Sequence, residues 1–440
     1  MALDQFFEII EENRRGEGGG VYSVCSANPV VIRAGMLQAM EDGCFILVES
    51  TSNQVDQTGG YTGLTPDQFV SYVYGLAEEV RFPKEKVLLG GDHLGPNRWQ
   101  DHSEAEAMEQ ASILIRDYVR AGYKKIHLDT SMFLADDTGD RSKPLDDEIV
   151  ASRTVELCRV AEKTWQETTS ADSDADKPFY IIGTEVPIPG GAQEHEDAVK
   201  PTTPEDARTS LEVTKKAFLD AGLEDAWKRV VALVVQPGVE FGDDQIFEYD
   251  RSRIGNLSKT IEAYPGMVYE AHSTDYQREE LLQAMADDHF CIQKVGPWLT
   301  YAYREALFAL EHIERELLDG GSPGGLSSLS HTLEKVMGEH PEHWVKYYTG
   351  SEDEKAFKRK YSYSDRSRYY WPFREVEQAV EKLYSNLEHT DIPLTLISQY
   401  MPNQYWAVRE GIIVPAPSDL VIHKIREVYR IYARACRLCG

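Results

Sequence analysis

The chain has 440 residues, 42% of them hydrophobic and 27% charged, the composition of a folded protein with room for one large domain and an appendage, or for two domains. Its 74 acidic against 46 basic side chains leave a net charge of −28, which repels phosphate backbones and anionic bilayers and argues against nucleic acid as a partner. A small anionic substrate in a local basic pocket stays open, whereas no stretch approaches the ~18 uninterrupted apolar residues that a membrane span needs.

Residues 1–15 form an acidic amphipathic stretch without the basic start and apolar run of a signal peptide. With six scattered cysteines, reduced thiols in the cytoplasm are expected; Cys436 and Cys439 make only half of a four-ligand zinc pattern. Eight short apolar runs follow, at 21–25, 45–48, 87–89, 126–128, 180–182, 230–235, 268–269 with Ala271, and 291–295. Most are continuous, as expected of parallel strands covered on both faces. Helical patterns lie between them. Thr65-Pro66 opens one with a capping hydroxyl and a proline in the first turn, Ser103-Glu104-Ala105-Glu106 is a capping box before a helix that stops near Gly122, and Thr203-Pro204 opens another.

Eight strand–helix units over roughly 300 residues predict a closed (β/α)8 TIM barrel. An open doubly wound sheet that bound a dinucleotide would call for a glycine fingerprint after the first strand, where Ser26-Ala27-Asn28-Pro29 stands instead. Two segments break the rhythm: 168–177 is polar and acidic, and 319–328 is rich in Gly, Ser and Pro. The barrel is therefore expected over 1–325. A mostly helical C-terminal extension over 326–440, with a Tyr- and Arg-rich stretch at 361–372, is expected to cover its mouth.

Chemistry in such barrels gathers at the C-terminal ends of the strands. Those ends carry, in order, Ser26 and Asn28; Glu49, Asn53 and Gln54; Asp92 and His93; His127 and Asp129; Glu185; Gln236; Glu270 and His272; and Lys294. Any one of them is more often a loop cap or an ion-pair member than a catalyst, and Lys294 could pair with Glu270 for structure alone. Six of the eight ends, however, carry an ionisable group, and all would converge on one concave mouth. His93, Glu185 and His272 would give a two-histidine, one-carboxylate set from alternate strands, suited to a divalent ion such as zinc, manganese or magnesium. His340-Pro-Glu-His343 is a weaker rival, because Pro341 marks a helix start and its acids look solvated.

Several of these runs also resemble, as a set, the tagatose-bisphosphate aldolase accessory-subunit family. They include Tyr22-Ser-Val-Cys-Ser-Ala-Asn-Pro29, Glu49-Ser-Thr-Ser-Asn-Gln54, Gly59-Gly-Tyr-Thr-Gly63, Gly90-Gly-Asp-His-Leu-Gly-Pro-Asn97, Gly183-Thr-Glu-Val-Pro187, Val234-Val-Gln-Pro-Gly-Val-Glu-Phe241, Tyr269-Glu-Ala-His-Ser-Thr-Asp-Tyr-Gln277, Ser364-Asp-Arg-Ser-Arg-Tyr-Tyr-Trp-Pro372 and Ile397-Ser-Gln-Tyr-Met-Pro402. The likeness runs nearly end to end. It implies a fold similar to class II aldolases and three candidate activities: a non-catalytic aldolase subunit in galactitol or tagatose catabolism, a tagatose-6-phosphate kinase, or a metal-dependent ketohexose(-phosphate) 4-epimerase. The partners it implies are a sugar phosphate and a class II aldolase catalytic chain, and self-association into a homo-oligomer is a further expectation.

The kinase reading is weak, since no Gly-x-x-x-x-Gly-Lys-Ser/Thr phosphate cradle is present. Inverting C4 of a 2-ketose is a specific problem: that proton is not α to the C2 carbonyl, so deprotonation there gives no enolate. Transient oxidation would usually call for a nicotinamide site, which the sequence does not show. Retro-aldol cleavage of C3–C4 remains, with a Lewis acid for the enediolate and an acid/base for the C4 hydroxyl. On that reading Asp92 or Asp129 moves the proton, Glu270 completes the acidic set, and Lys294 serves as a cation more readily than as a Schiff base. Ser26, Asn28, Glu49, Asn53, Gln54 and Gln236 would contact the sugar, with Arg366 and Arg368 on its phosphate. The accessory-subunit reading stands beside it.

Overall fold

The computed structural model describes residues 1–168, 177–183, 199–318 and 325–438. Its strands are β1 (Val21–Val24), β2 (Ile46–Thr51), β3 (Val87–Leu94), β4 (Lys125–Asp129), β5 (Phe179–Gly183), β6 (Val230–Val235), β7 (Glu240–Phe241), β8 (Ile246–Phe247), β9 (Val268–Ala271) and β10 (Phe290–Val295). Strands β7 and β8 pair as a two-residue antiparallel ribbon. The other eight close into a parallel barrel in the order β1-β10-β9-β6-β5-β4-β3-β2. Each apolar run expected to be a strand is one of these eight, because each can be buried on both faces, against the helices outside and the packed interior within.

The helices between strands start where the sequence supplies caps. Ser103 accepts from the Glu106 amide while the Glu106 carboxylate takes the Ser103 N–H and O–H, so the helix Glu104–Ala121 opens on a closed capping box. It ends on Gly122, whose φ of 95° is the left-handed conformation that favours glycine. At the opposite end of the barrel from the strand C-termini, the helix Ala2–Arg14 acts as a plug. Its apolar face sends Phe6 and Ile10 among Phe45, Leu88, Phe179 and Ile181, with the Phe6 ring stacked on Phe179 at 4.8 Å.

The C-terminal extension does two jobs. Its last helix, Pro417–Ala435, lies against the barrel helices Pro29–Glu41, Glu279–Asp287 and Pro297–Leu318. It is fastened there by the Tyr429 hydroxyl donating to the Val31 carbonyl at 2.9 Å and the Tyr432 hydroxyl to that of Thr274 at 2.8 Å. The short turn Arg366–Tyr369 instead reaches the mouth, where Arg368 and Tyr369 join the wall.

Strand β3 runs further than its apolar core predicts. It continues through Asp92 and His93, and its pairing with β4 slips, Gly91 facing Ile126 but Leu94 facing Leu128. The slip is a β-bulge, in which one extra residue is accommodated and side chains are re-aimed. His93 carries the irregularity, with a φ of 49° that a non-glycine residue seldom adopts. As a result, Asp92 and His93, adjacent in sequence, both line the mouth instead of pointing to opposite faces.

Candidate functional site

Strand periodicity builds the site. Along β4, Lys125, His127 and Asp129 alternate with Ile126 and Leu128, so the polar three share the barrel interior and the apolar two face the helices. Across the barrel, Glu270 at the end of β9 and His272 just beyond it repeat that spacing. Glu49 of β2 and Lys294 of β10 enter the same volume, and all of these side chains are buried. Glu49 passes over β3 only because residue 90 is glycine: a Cβ there would stand 2.7 Å from the Glu49 Cγ. Gly95 does the same for the next loop, since its Cβ would fall 1.7 Å from the Asp129 carbonyl oxygen.

Ion pairs hold the interior together. Lys125 Nζ lies 2.7 Å from both Glu49 Oε1 and Glu270 Oε2. Lys294 Nζ contacts Glu49 Oε2 and stands 3.0 Å from Asp92 Oδ1 and 3.5 Å from Glu270 Oε1. Above them, the His93 Nδ1 is 2.8 Å from Asp129 Oδ2, the His127 Nδ1 2.8 Å from Asp92 Oδ1, and the His272 Nε2 3.0 Å from Glu270 Oε1. Four carboxylates thus face two ammonium groups among the described residues, and the surplus is negative.

The charge states follow from that crowding. Burial works against ionising Asp92, but the fields of His93, Lys294 and His272 overcome it and hold the carboxyl well below its usual range. Glu270 is held low in the same way, burial being outweighed by Lys125 and Lys294. Asp129 falls to about 2, the hydrogen bond to His93 prevailing over burial. Lys294 is raised well above its ordinary value: burial opposes its charge, yet Asp92 and its other anionic neighbours outweigh it. Such an ammonium keeps its proton, which weighs against a Schiff-base role. Burial pushes His272 down to about 4, leaving it a neutral imidazole with a lone pair to offer.

The three histidine rings face one another with centres 4.9 to 5.5 Å apart. Imidazole nitrogens about 2.1 Å from a tetrahedral ion would set ring centres roughly 5 Å apart, a spacing the His127–His272 pair fits at 5.5 Å. Asp92, His127, Glu270 and His272 each bring a ligand atom within 4.8 Å of the others. Among the described residues the buried Nε2 of His127 has no hydrogen-bond partner, while its Nδ1 lies 2.8 Å from Asp92 Oδ1 and also meets the His93 backbone N–H at 3.2 Å; the ring is held in place from its Nδ1 side, with Nε2 left for a metal. The residues therefore fit a divalent ion.

Above the rings opens a recess continuous with solvent. Asp92, His93, His272 and Lys294 line it, with Asn53, Gln54, Tyr61, Cys25, Asp275, Arg368 and Tyr369. Other residues singled out from sequence lie elsewhere. Glu49 and Glu270 sit beneath the recess in the ion-pair floor. Asn28 caps the helix Pro29–Glu41, its Oδ1 accepting from the amides of Val30 and Val31, and Ser26 accepts from the Asn28 amide. Gln236 closes its own turn by accepting from Gly238 and Val239. Arg366 stacks on the Tyr347 ring and donates to the His343 carbonyl, away from the recess. Glu185 lies outside the described residues. His127, Lys125 and Asp275 had no role assigned from sequence; the alternation Lys125, His127, Asp129 carries the signal for the first two.

A family profile described as D-tagatose-1,6-bisphosphate aldolase subunit GatZ/KbaZ-like matches residues 6–437. The chain is similar to a probable tagatose 6 phosphate kinase from Sinorhizobium meliloti 1021, with 43% identity, a TM-score of 0.85, and 95% of this chain and 100% of that one covered. A fructose-bisphosphate aldolase from Campylobacter jejuni matches at 13% identity and a TM-score of 0.46, covering 88% of this chain and 93% of that one. The chain belongs to the D-tagatose-1,6-bisphosphate aldolase subunit GatZ/KbaZ-like family.

Proposed function

We propose that the barrel mouth is a live site that epimerises a ketohexose phosphate at C4, between D-tagatose 6-phosphate and D-fructose 6-phosphate, by retro-aldol and aldol chemistry. The observation that carries this reading is the convergence of three imidazoles on a negatively charged, buried floor at the base of a recess. His127 and His272, with Glu270, would hold a divalent ion, and His93 would be kept in line by Asp129. Bound there, the ion supplies Lewis-acid stabilisation of the charge that develops at C2 and C3.

The side chains account for the remaining steps. Asp92, ionised and lining the recess, takes the proton of the C4 hydroxyl. The C3–C4 bond breaks, its electron pair passing to the C2–C3 fragment as an enediolate while C4 becomes an aldehyde. Lys294 places its ammonium charge beside the enediolate. The aldehyde turns within the recess, C3 adds to its other face, and Asp92 returns the proton. Arg368 is the cation placed to meet the distal phosphate, being in the recess wall where Arg366 is not.

The family description favours a second reading, in which the chain is an accessory subunit to a separate aldolase. Incubating the purified chain alone with D-tagatose 6-phosphate and Zn²⁺, Mn²⁺ or Mg²⁺, and following D-fructose 6-phosphate by NMR, separates the two. Turnover by the chain alone supports the epimerase; no turnover with any of the metals leaves the accessory role.

A further inference from the structure

Asp275 belongs to neither the histidine group nor the ion-pair floor, yet it lines the recess. It is 2% exposed and sits in the loop after β9, just before Tyr276, whose φ of 65° marks a constrained turn. Its Oδ1 accepts two backbone hydrogen bonds, from Gly296 at 2.9 Å and Trp298 at 2.8 Å, and so caps the helix Pro297–Leu318 from a neighbouring loop. Its Oδ2 is hydrogen-bonded to no other residue among those described. A cap needs one acceptor atom, and an uncharged Asn or Ser would provide it. A carboxylate there keeps a charge in a largely dry place, and burial accordingly pushes its carboxyl up to about 6, even against the two amide donors.

The cap also has a consequence for ligands. In such barrels a phosphate is frequently held by the loops after the seventh and eighth strands together with backbone amides at a helix N-terminus nearby. Here those amides are already given to a carboxylate, whose charge would repel a phosphate at the same spot. The anionic end of a substrate is directed instead to Arg368, which shares the wall.

We propose that Asp275 is a specificity-determining residue: Oδ1 fixes the helix Pro297–Leu318 while Oδ2 accepts a hydroxyl of the sugar. This rests on the reading that the recess binds a ketose phosphate. Asp275→Asn separates the two duties, because the amide oxygen can keep both backbone bonds while the recess-facing atom turns from an acceptor into a donor. Calorimetric titration of the wild type and this variant with D-tagatose 6-phosphate, D-fructose 6-phosphate and inorganic phosphate, with Zn²⁺ present, is the test. The variant is expected to keep the wild-type melting temperature or exceed it and to bind both sugar phosphates about tenfold or more weakly, with no loss for inorganic phosphate, which has no sugar hydroxyls. Unchanged affinity for the sugar phosphates would reduce Asp275 to a cap and overturn the proposal alone. Parallel losses for sugar phosphates and inorganic phosphate would assign it a purely structural part and also overturn it. A wild-type protein that binds neither sugar phosphate would overturn this proposal and the proposed function together.

Discussion

At the scale of single residues, each histidine of the mouth leans on a carboxylate, and the consequences differ by position. Asp129 lies behind His93 and does not reach the recess, so it acts through that ring. Burial works against the charged form of His93, but Asp92 and the hydrogen bond to Asp129 raise its imidazole above the ordinary value. Asp129→Asn should lower the pH at which His93 titrates, followed by NMR on the folded protein; an unchanged titration would mean that Asp129 does not act on the ring. Asp275 makes a different prediction. Its folded-state carboxyl titrates near 6 because burial disfavours the charge, against 3.8 ordinarily. The fold therefore binds that proton more tightly than the unfolded chain does, and stability drains away as the pH rises from below 4 through about 6. Asp275→Asn escapes the loss, so at pH 7.5 it should be the more stable protein by on the order of 1–3 kcal/mol, with the gap narrowing towards pH 4.5 in urea unfolding. A gap that stays constant with pH would refute the raised carboxyl. Sequence alone put Asp92, His93, His272 and Lys294 at the mouth, because strand ends in a barrel have one place to go. It could not separate Arg368 from Arg366, which depends on how a four-residue turn is seated, nor foresee that Asn28 and Gln236 are consumed by their own turns.

At the scale of elements, all eight strands were legible because doubly covered parallel strands are apolar runs bounded by caps and turns. The β3 bulge was not, for it depends on pairing with β4 instead of on local propensity. The duty of the first helix was hidden too: an amphipathic acidic stretch says that one face is buried but not where. The structure sets that face across the far end of the barrel, with Phe6 fully buried between Phe45 and Phe179. Phe6→Ala should leave a cavity in a site closed on all sides and cost about 3–5 kcal/mol in denaturant unfolding. A cost under about 1 kcal/mol would mean that the helix is loosely docked and the barrel end is closed by something else. Because the plug lies opposite the mouth, this variant should keep wild-type affinity for ligands wherever it remains folded.

At the scale of the whole molecule, a net charge of −28 complicates any claim about a bound cation. Self-repulsion across such a surface weakens the compact state, and any added salt relieves it, over a Debye length of about 10 Å at 0.1 M. Divalent ions therefore stabilise this protein by two routes with different signatures. Screening grows smoothly with ionic strength and is indifferent to a single histidine. Occupation of the mouth stabilises the fold in proportion to the logarithm of the metal concentration above Kd, about 2.7 kcal/mol at a hundredfold excess. At constant ionic strength set with KCl, the melting temperature of the wild type should rise with the logarithm of added Zn²⁺ or Mn²⁺ and fall back on chelation. In His127→Ala, which loses a buried Nε2 that has no partner among the described residues, the response to KCl should persist and the metal-dependent rise at constant ionic strength should vanish. Equal metal-dependent rises in the two proteins would place the cation on the acidic exterior, and the surplus of buried carboxylates around Lys125 and Lys294 would then need protons, not a metal, to balance it.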